Sequence, residues 1–303
     1  MSESLKGVLA MVLACIIWGL SSIFYAQLRH VPPLEILSYR TVCSLAFFLI
    51  VLLAQRRIRT LIDAVSDRKQ VLTIFGAALF ISGNWFGFIT AISLGYALEA
   101  SLGYFIFPLV AVLIGRVFFA EALGRVQWVA VALAGAGVTV LTVGLGAAPW
   151  IAFWLAATFG LYGAVKKGLA LGPVVSVTAE VLLLAPVALA WIYFKGSGAM
   201  GSDWWTSSLL ALSGPLTAIP LILFSFAARR VRLATVGLVQ YLNPSIQFVV
   251  AGLVLLEPVT LWHSIAFPII WLALGLYSFS ALRQERASRK AASSAATSEM
   301  IEI

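Results

Sequence analysis

Long stretches without charge dominate the pattern of hydrophobic and polar positions along this chain. Each stretch holds one or two segments of the roughly 20 apolar residues that a helix needs to cross a bilayer. The stretches lack the alternation of a membrane β-barrel strand. The pattern therefore predicts an all-α integral membrane protein. The stretches free of Asp, Glu, Lys and Arg are 7–28, 70–98, 126–165, 204–228, 233–256 and 258–282.

Breaks at glycine, proline and charged clusters divide the apolar sequence into ten predicted transmembrane helices. The least obvious break falls at Gly144, Gly146 and Pro149, residues that do not comfortably continue a helix. The connectors are short, so sequence neighbours should pack antiparallel. The predicted spans are 6–27, 34–54, 71–93, 97–119, 126–144, 148–165, 173–194, 205–228, 233–256 and 260–282.

Composition agrees with lipid as the main solvent. Charged residues make up 11% of the 303 residues and hydrophobic types 62%, whereas soluble domains carry about 25% charged residues. The first apolar stretch is too long for a signal peptide and lacks an Ala-x-Ala site, so we expect it to be retained as a helix. Cys15 and Cys43 lie in apolar segments, which predicts packing roles rather than a disulfide or metal site.

The basic residues predict the orientation, because Lys and Arg are retained on the cytoplasmic side. With the N-terminus inside, 17 Lys and Arg fall in cytoplasmic segments, and Arg29 and Lys195 lie outside. Both termini are therefore predicted to be cytoplasmic, and residues 283–303 are predicted to form a disordered cytoplasmic tail. The net charge of +8 reflects topology and anionic lipid, and no nucleic-acid partner is expected.

The chain repeats itself. Pro108 precedes Glu121 by 13 residues, and Pro244 precedes Glu257 by the same 13. Trp18-Gly19-Leu20 also matches Phe159-Gly160-Leu161. Five helices in each copy make the second copy enter the membrane from the opposite face, the inverted repeat of secondary transporters. The predicted repeats are 1–144 and 148–282.

Two charges lie deep inside predicted spans. Arg40 is about two turns from the outer face, and Glu180 about two turns from the inner face. Each costs about 2.5–3.5 kcal/mol on insertion scales, which predicts a wet cavity or a partner. A structural ion pair or snorkelling is the alternative. Arg40 could bind a carboxylate, and Glu180 is the candidate for proton coupling.

Other polar side chains in the spans extend the predicted substrate site. An amide beside an indole suits ligand binding, whereas an interhelical hydrogen bond or a plain proline kink is the alternative. The predicted lining is Arg40, Asn84, Trp85, Tyr104, Glu180, Gln240 and Tyr241, with Asn243 nearby.

Remaining polar residues favour structural roles. Glu35 and Glu99 are predicted to act as N-terminal dipole partners of their helices. Glu121 and Glu257 are predicted to cap the helix that follows each. His30 and His263 are predicted to pack at the interface. No phosphate loop, nucleophile elbow or metal cluster occurs in the sequence, so we predict neither an enzyme nor a cofactor or metal.

The sequence resembles a known transporter family. Phe118-Phe119-Ala120-Glu121-Ala122-Leu123-Gly124-Arg125-Val126-Gln127-Trp128 is similar to the EamA repeat of the drug/metabolite transporter superfamily, and 256–260 to its second copy. The segments 35–40, 83–85, 98–106, 231–233 and 240–241 resemble the RarD branch. The resemblance implies ten helices in inverted halves and a permease of a bacterial inner membrane. The branch usually has Asn where this sequence has Phe107, while Asn243 supplies an amide at the symmetry-related place.

We therefore predict a secondary transporter that moves a small metabolite or drug-like molecule by alternating access between its two halves. A lipid flippase or scramblase, and a membrane scaffold or sensor without transport, are the alternatives. The expected partners are a small-molecule substrate and the lipid bilayer, and the sequence leaves a homodimer open.

Overall fold

The computed structural model describes residues 2–120, 123–146, 149–166, 169–228, 230–231, 236 and 239–301. Within that part of the chain the regular structure is helical and contains no named strand. A π-helical turn, Val250–Val254, continues the tenth helix. The helices are α1 Glu3–Ala26, α2 Pro33–Ala54, α3 Ile58–Ser66, α4 Arg68–Leu94, α5 Ala97–Phe119, α6 Arg125–Leu145, α7 Trp150–Lys166, α8 Pro173–Lys195, α9 Trp204–Ala228, α10 Leu242–Val249 and α11 Leu261–Ile301.

Eight of the described helices are long and apolar enough to cross a membrane: α1, α2, α4, α5, α6, α8, α9 and the first part of α11. Two shorter apolar helices, Trp150–Lys166 and Leu242–Val254, complete the set. Large apolar side chains such as Val117, Val143 and Leu253 are about three-quarters exposed on the outside of the bundle. Such surface suits lipid and not water. The predicted class, an all-α membrane protein, is confirmed.

Two elements differ from the sequence-based expectation. The short helix α3 lies in a predicted connector, where Leu61 and Ala64 are buried against α8 and α2. Its nine residues are too few for a span, so a search for long apolar stretches misses it. The last helix runs to Ile301, where a disordered tail is predicted from residue 283. Alanine and arginine have high helix propensity, which favours continuation of the spanning helix.

Prolines and glycines set several helix boundaries. Pro33 is the first residue of α2 and Pro173 the first of α8, where the missing N–H costs nothing. Gly95 ends α4 and Gly146 ends α6, both with a left-handed backbone at φ 80° and 68°. The predicted break between the fifth and sixth spans thus falls where α6 ends.

The helices pack mainly across the two sequence halves. In the first half, α1 packs on α9 and α10, α4 on α7 and α8, and α2 on both α8 and α9. In the same way α5 packs on α7 and α10, and α6 on α11. Contacts between helices of the same half are sparser. The two halves therefore interleave instead of forming separate bundles.

Close approach depends on glycines at two of these contacts. A Cβ on Gly103 of α5 would lie 2.9 Å from the Ala152 carbonyl oxygen of α7. A Cβ on Gly19 of α1 would lie 2.6 Å from the Ile246 side chain of α10. Small residues at these positions let the helix backbones meet, as is usual in membranes.

Candidate substrate-binding site

Arg40 of α2 is held between aromatic rings in the interior. Its guanidinium carbon lies 4.3 Å from the Trp85 ring centroid and 5.7 Å from the Tyr25 ring centroid. The residue is only 7% exposed. Within the described residues its Nε has no hydrogen-bond acceptor, and no acidic side chain forms an ion pair with it. The rings therefore stabilise the cation without neutralising it.

Asn84 joins three helices beside this cation. Its Nδ2 donates to the Leu155 carbonyl oxygen at 2.9 Å and to Thr158 Oγ1 at 3.1 Å, both on α7. Its Oδ1 accepts a hydrogen bond from the Tyr104 hydroxyl of α5 at 3.0 Å. Asn84 thus makes interhelical hydrogen bonds that orient Tyr104, while its neighbour Trp85 contacts Arg40.

Aromatic side chains continue from Arg40 into the protein. Tyr25 and Phe88 have ring centroids 6.0 Å apart, and Phe88 and Tyr104 are 5.9 Å apart. Tyr104 and Phe159 follow at 6.2 Å, and Phe159 stacks on Tyr162 at 6.0 Å. These five residues form what we call the aromatic row, which leads from the Arg40 site toward Glu180.

Glu180 lies at the far end of the aromatic row and is fully buried. Its carboxylate accepts hydrogen bonds from Lys166 Nζ at 2.7 Å, Ser176 Oγ at 3.0 Å and the Tyr162 hydroxyl at 3.2 Å. Lys166, the last residue of α7, counts as a cytoplasmic-segment residue in the sequence. The structure thus places Glu180 in an ion pair, in contrast to Arg40.

Gln240 and Tyr241 directly precede α10, and neither belongs to the contacts just described. Tyr241 packs against the core between α5, α6 and α11. Next to them, Asn243 Oδ1 accepts a hydrogen bond from Gln247 Nε2 at 3.1 Å. The structure therefore brings Arg40, Asn84, Trp85 and Tyr104 together, while Tyr241 packs against a different core.

Several residues at this site escape the sequence analysis. Tyr25, Phe88 and Phe159 contribute rings, and the buried hydroxyls of Ser22 and Ser44 have no hydrogen-bond partner in the described chain. The sequence signal that could have identified the two serines is their spacing. Ser22 precedes Tyr25 by three residues, and Ser44 follows Arg40 by four. Each pair shares one helix face.

Comparison with known proteins identifies the family. The sequence profile of the "EamA-like transporter family" matches residues 5–143. The "Uncharacterized transporter YojE" of Bacillus subtilis (strain 168) is 39% identical over 295 residues, covering 95% of this chain and 98% of that protein. "Protein RarD" of Streptomyces exfoliatus is 41% identical over 281 residues, covering 90% and 88%. The chain belongs to the EamA family, in its RarD branch.

One solved structure supports the fold of this EamA transporter. A chain described as "Crystal structure of protein" superposes with a TM-score of 0.61 at 18% identity, covering 89% of this chain and 96% of that one. At that identity the likeness concerns the fold alone. The names of the family and of YojE are those of transporters.

Carboxylates on the predicted outer side of this EamA transporter bind neighbouring backbone. Glu257 accepts hydrogen bonds from the N–H groups of Ala97 at 2.7 Å and Leu98 at 2.8 Å, so it caps α5. The prediction that it caps the helix after it is wrong, because the tertiary fold brings its turn onto another helix end. Burial raises the pKa of Glu257, although both N–H groups and Arg29 act against the rise. Glu121 lies outside the described residues.

Other outer contacts also join separate elements of the EamA transporter. Glu35, in the first turn of α2, accepts hydrogen bonds from the N–H groups of Ser197 at 2.8 Å and Ala199 at 3.2 Å. Arg29 donates from Nε to the Ile92 carbonyl oxygen at 3.0 Å. His30 Nε2 lies 3.0 Å from Thr206 Oγ1. The turns on this face are therefore held together by side chains.

Proposed function

We propose that this EamA-family membrane transporter is a secondary transporter that moves a small polar or amphipathic molecule across a bacterial inner membrane by alternating access. The observation that supports this proposal most directly is the buried Arg40 cation. It has no anionic partner in the described chain and is flanked by Trp85 and Tyr25. A charge that costs several kcal/mol to bury is retained where a ligand uses it. Arg40, Trp85, Tyr104 and the supporting Asn84 form the proposed site.

The packing pattern supports ten spanning helices in two inverted five-helix repeats. If α1 corresponds to α7, α2 to α8, α4 to α9, α5 to α10 and α6 to α11, the contacts occur in matched pairs. The contact of α1 with α9 matches that of α7 with α4, and α1 with α10 matches α7 with α5. Helices α2 and α6 pack on their own counterparts. The 17 residues of α7 are about the minimum for a tilted or locally thinned span.

The helix starts refine this correspondence. Pro33 and Pro173 are the first residues of α2 and α8, which gives an offset of 140 residues. The same offset relates Arg40 to Glu180. The two intramembrane charges thus occupy equivalent positions on a pair of packed helices that would enter from opposite faces.

The interleaved packing also changes which groups of helices we expect to move as units during transport. One group is α4, α5 and α7, in which α7 contacts both partners, and its counterpart is α1, α9 and α10. Each group contains helices from both sequence halves. We propose that these three-helix groups tilt against each other around Arg40, in place of the rocking of two sequence halves that the repeat alone predicts.

A two-stage experiment tests transport. Purified protein is screened against a metabolite library by thermal shift, and each hit is assayed for counterflow in proteoliposomes. Because Trp85 contacts the cation, Trp85→Leu should lower counterflow about 10-fold. The matched control Trp128→Leu changes a half-exposed tryptophan of α6 and should retain the wild-type rate.

Two outcomes would contradict transport of a small molecule. A library without a single stabilising ligand, together with flux equal to that of empty liposomes, favours the scaffold or sensor alternative. Faster flipping of a fluorescent phospholipid favours the flippase. A lateral groove between α1 and α9 argues against the flippase, which would need a polar groove open to the bilayer. The lining of this groove includes Ile17, Phe24 and Leu216 and carries no charge.

A further inference from the structure

Arg40 differs from the other buried charge in the spans. Glu180 is neutralised by Lys166, with 2.7 Å between nitrogen and oxygen. Arg40 is 7% exposed, yet within the described residues no acidic side chain lies within ion-pair distance of it. Arginine stays protonated under all ordinary conditions, so it cannot relieve burial by losing its proton. The fold therefore leaves one positive charge for an external anion.

The direction of the free N–H groups limits how that anion binds. The guanidinium carbon of Arg40 lies over the Trp85 ring, 4.3 Å from its centroid. The five N–H donors of arginine lie in the plane of the guanidinium in a fixed fork geometry. The Arg40 Nε is buried without an acceptor in the described chain. In every arginine, Nε and one Nη form a side-on pair of donors. This fork matches the two oxygens of a carboxylate.

Buried hydroxyls lie on the helix faces that carry Tyr25 and Arg40. Ser22 is 1% exposed and Ser44 0%, and their hydroxyl oxygens have no hydrogen-bond partner in the described chain, while the buried Tyr25 hydroxyl interacts with Arg40 and Thr217. Ser22 shares a face of α1 with Tyr25, and Ser44 shares a face of α2 with Arg40. The contact between Tyr25 and Arg40 joins the two faces. Buried polar groups are normally satisfied, so this set indicates a missing ligand.

We propose that the Arg40 site binds an organic monocarboxylate with an apolar, aromatic body. This deepens the proposed function and rests on it. A single guanidinium balances one negative charge and leaves a phosphate dianion uncompensated. An amino acid would also need an acceptor for its ammonium. The three buried carboxylates of the described chain are already in use. Glu180 binds Lys166, Glu35 the N–H groups of Ser197 and Ala199, and Glu257 those of Ala97 and Leu98.

The aromatic row supplies the surface for the body of the ligand. Tyr25, Phe88, Tyr104 and Phe159 succeed one another with ring centroids 5.9–6.2 Å apart, starting at the cation. A planar ring attached to the carboxylate would pack edge-to-face or offset against them. Asn84 fixes the Tyr104 hydroxyl, so that ring is already oriented.

The test measures binding to purified protein in nanodiscs with 3-phenylpropionate, its neutral analogue 3-phenylpropionamide, and L-phenylalanine. Binding is measured because the uncharged form of a carboxylic acid crosses bilayers unaided and would obscure flux. The carboxylate should bind at least about 30-fold more tightly than the amide, since a buried charge pair is broken in the comparison. L-Phenylalanine should bind about as weakly as the amide.

Variants test whether Arg40 causes the preference for the carboxylate. Arg40→Gln should reduce the carboxylate-to-amide ratio to about one, and Arg40→Lys should give an intermediate ratio because the fork is lost while the charge stays. Arg68→Gln, a control at an exposed arginine, should retain the wild-type ratio. If Arg40→Gln does not fold, the comparison of acid with amide on the wild-type protein still tests whether the site prefers a carboxylate.

Three results would overturn the proposal: equal affinity for acid and amide, tight binding of L-phenylalanine, or displacement of the acid by inorganic phosphate at equal concentration. Counterflow of neutral ligands without a carboxylate preference would refute this site assignment and leave transport intact. Carboxylate binding that depends on Arg40, with no flux of any ligand, would support the site and refute transport.

Discussion

At the residue scale, the two buried charges of the spans have opposite environments. Arg40 has aromatic rings and no counterion in the described chain, whereas Glu180 accepts three hydrogen bonds, one of them from a lysine. The sequence marks both residues by the same rule, because each is a charge deep in an apolar segment. It does not distinguish them, since Lys166 counts as a connector residue until the fold brings it to Glu180. The distinction decides which charge is free for a ligand.

We predict unequal costs for breaking the Lys166–Glu180 pair. The Glu180 side chain is fully buried, whereas that of Lys166 is 20% exposed and can turn toward water. Lys166→Met should therefore lower the free energy of unfolding by about 3 kcal/mol, and Glu180→Gln by clearly less. Thermal melts of both variants check this order. The double variant should be more stable than Lys166→Met alone, and strictly additive losses would contradict a direct pair.

At the element scale, close contacts between helices depend on small residues. These residues are visible in the sequence, but the sequence does not reveal which helix each of them contacts. Hydropathy and helix breakers predict the bounds of most described helices closely, because the bilayer fixes the length of each apolar segment. The predicted ninth span, 233–256, is an exception, since the described apolar helix there is Leu242–Val254. Which helices pack together depends on how well their surfaces fit, and that fit involves two segments of the chain at once. The short α3 is missed for a related reason, since its stability comes from Leu61 and Ala64 packing on other helices.

We predict that Gly103→Ala destabilises the protein by about 1–3 kcal/mol, because its Cβ would press on the α7 backbone at Ala152. Gly76→Ala in α4 is the matched control, since nothing lies within 4 Å of a Cβ there. That variant should be neutral or slightly stabilising, because alanine favours helix. Differential scanning fluorimetry distinguishes the two, and equal melting temperatures would refute the tight α5–α7 contact.

At the scale of the whole molecule, the predicted outer face is closed by bonds between distant elements. Glu257 joins the turn after α10 to α5, and Glu35 joins α2 to the loop after α8. Both carboxylates bind backbone N–H groups of a segment about 160 residues away in sequence. The proposed alternating access would require such links to break whenever the outer face opens.

We predict that Glu257→Gln makes the outer end of α5 easier to open, because Ala97 and Leu98 bind different carboxylate oxygens and glutamine replaces one of these oxygens by a donor NH2 group. Ser101, fully buried one turn into α5, is replaced by Cys in a background in which Cys15 and Cys43 are removed. A membrane-impermeant thiol reagent should label it several-fold faster in the Glu257→Gln variant. Asp203→Asn is the control, since Asp203 bonds Thr206 at the start of its own α9. Equal labelling in all three proteins would contradict the outer closure.

The sequence by itself determined the solvent, the membrane class, the approximate spans and the family. Each depends on composition and local periodicity, which lipid imposes on every segment separately. It also selected Arg40, Asn84, Trp85 and Tyr104 among the candidates. Tertiary structure alone decided that these four meet, that Lys166 neutralises Glu180, that Tyr241 packs in a different core, and that the sequence halves interleave. Those outcomes depend on contacts between segments far apart in the chain, and no local pattern encodes which pairs will touch.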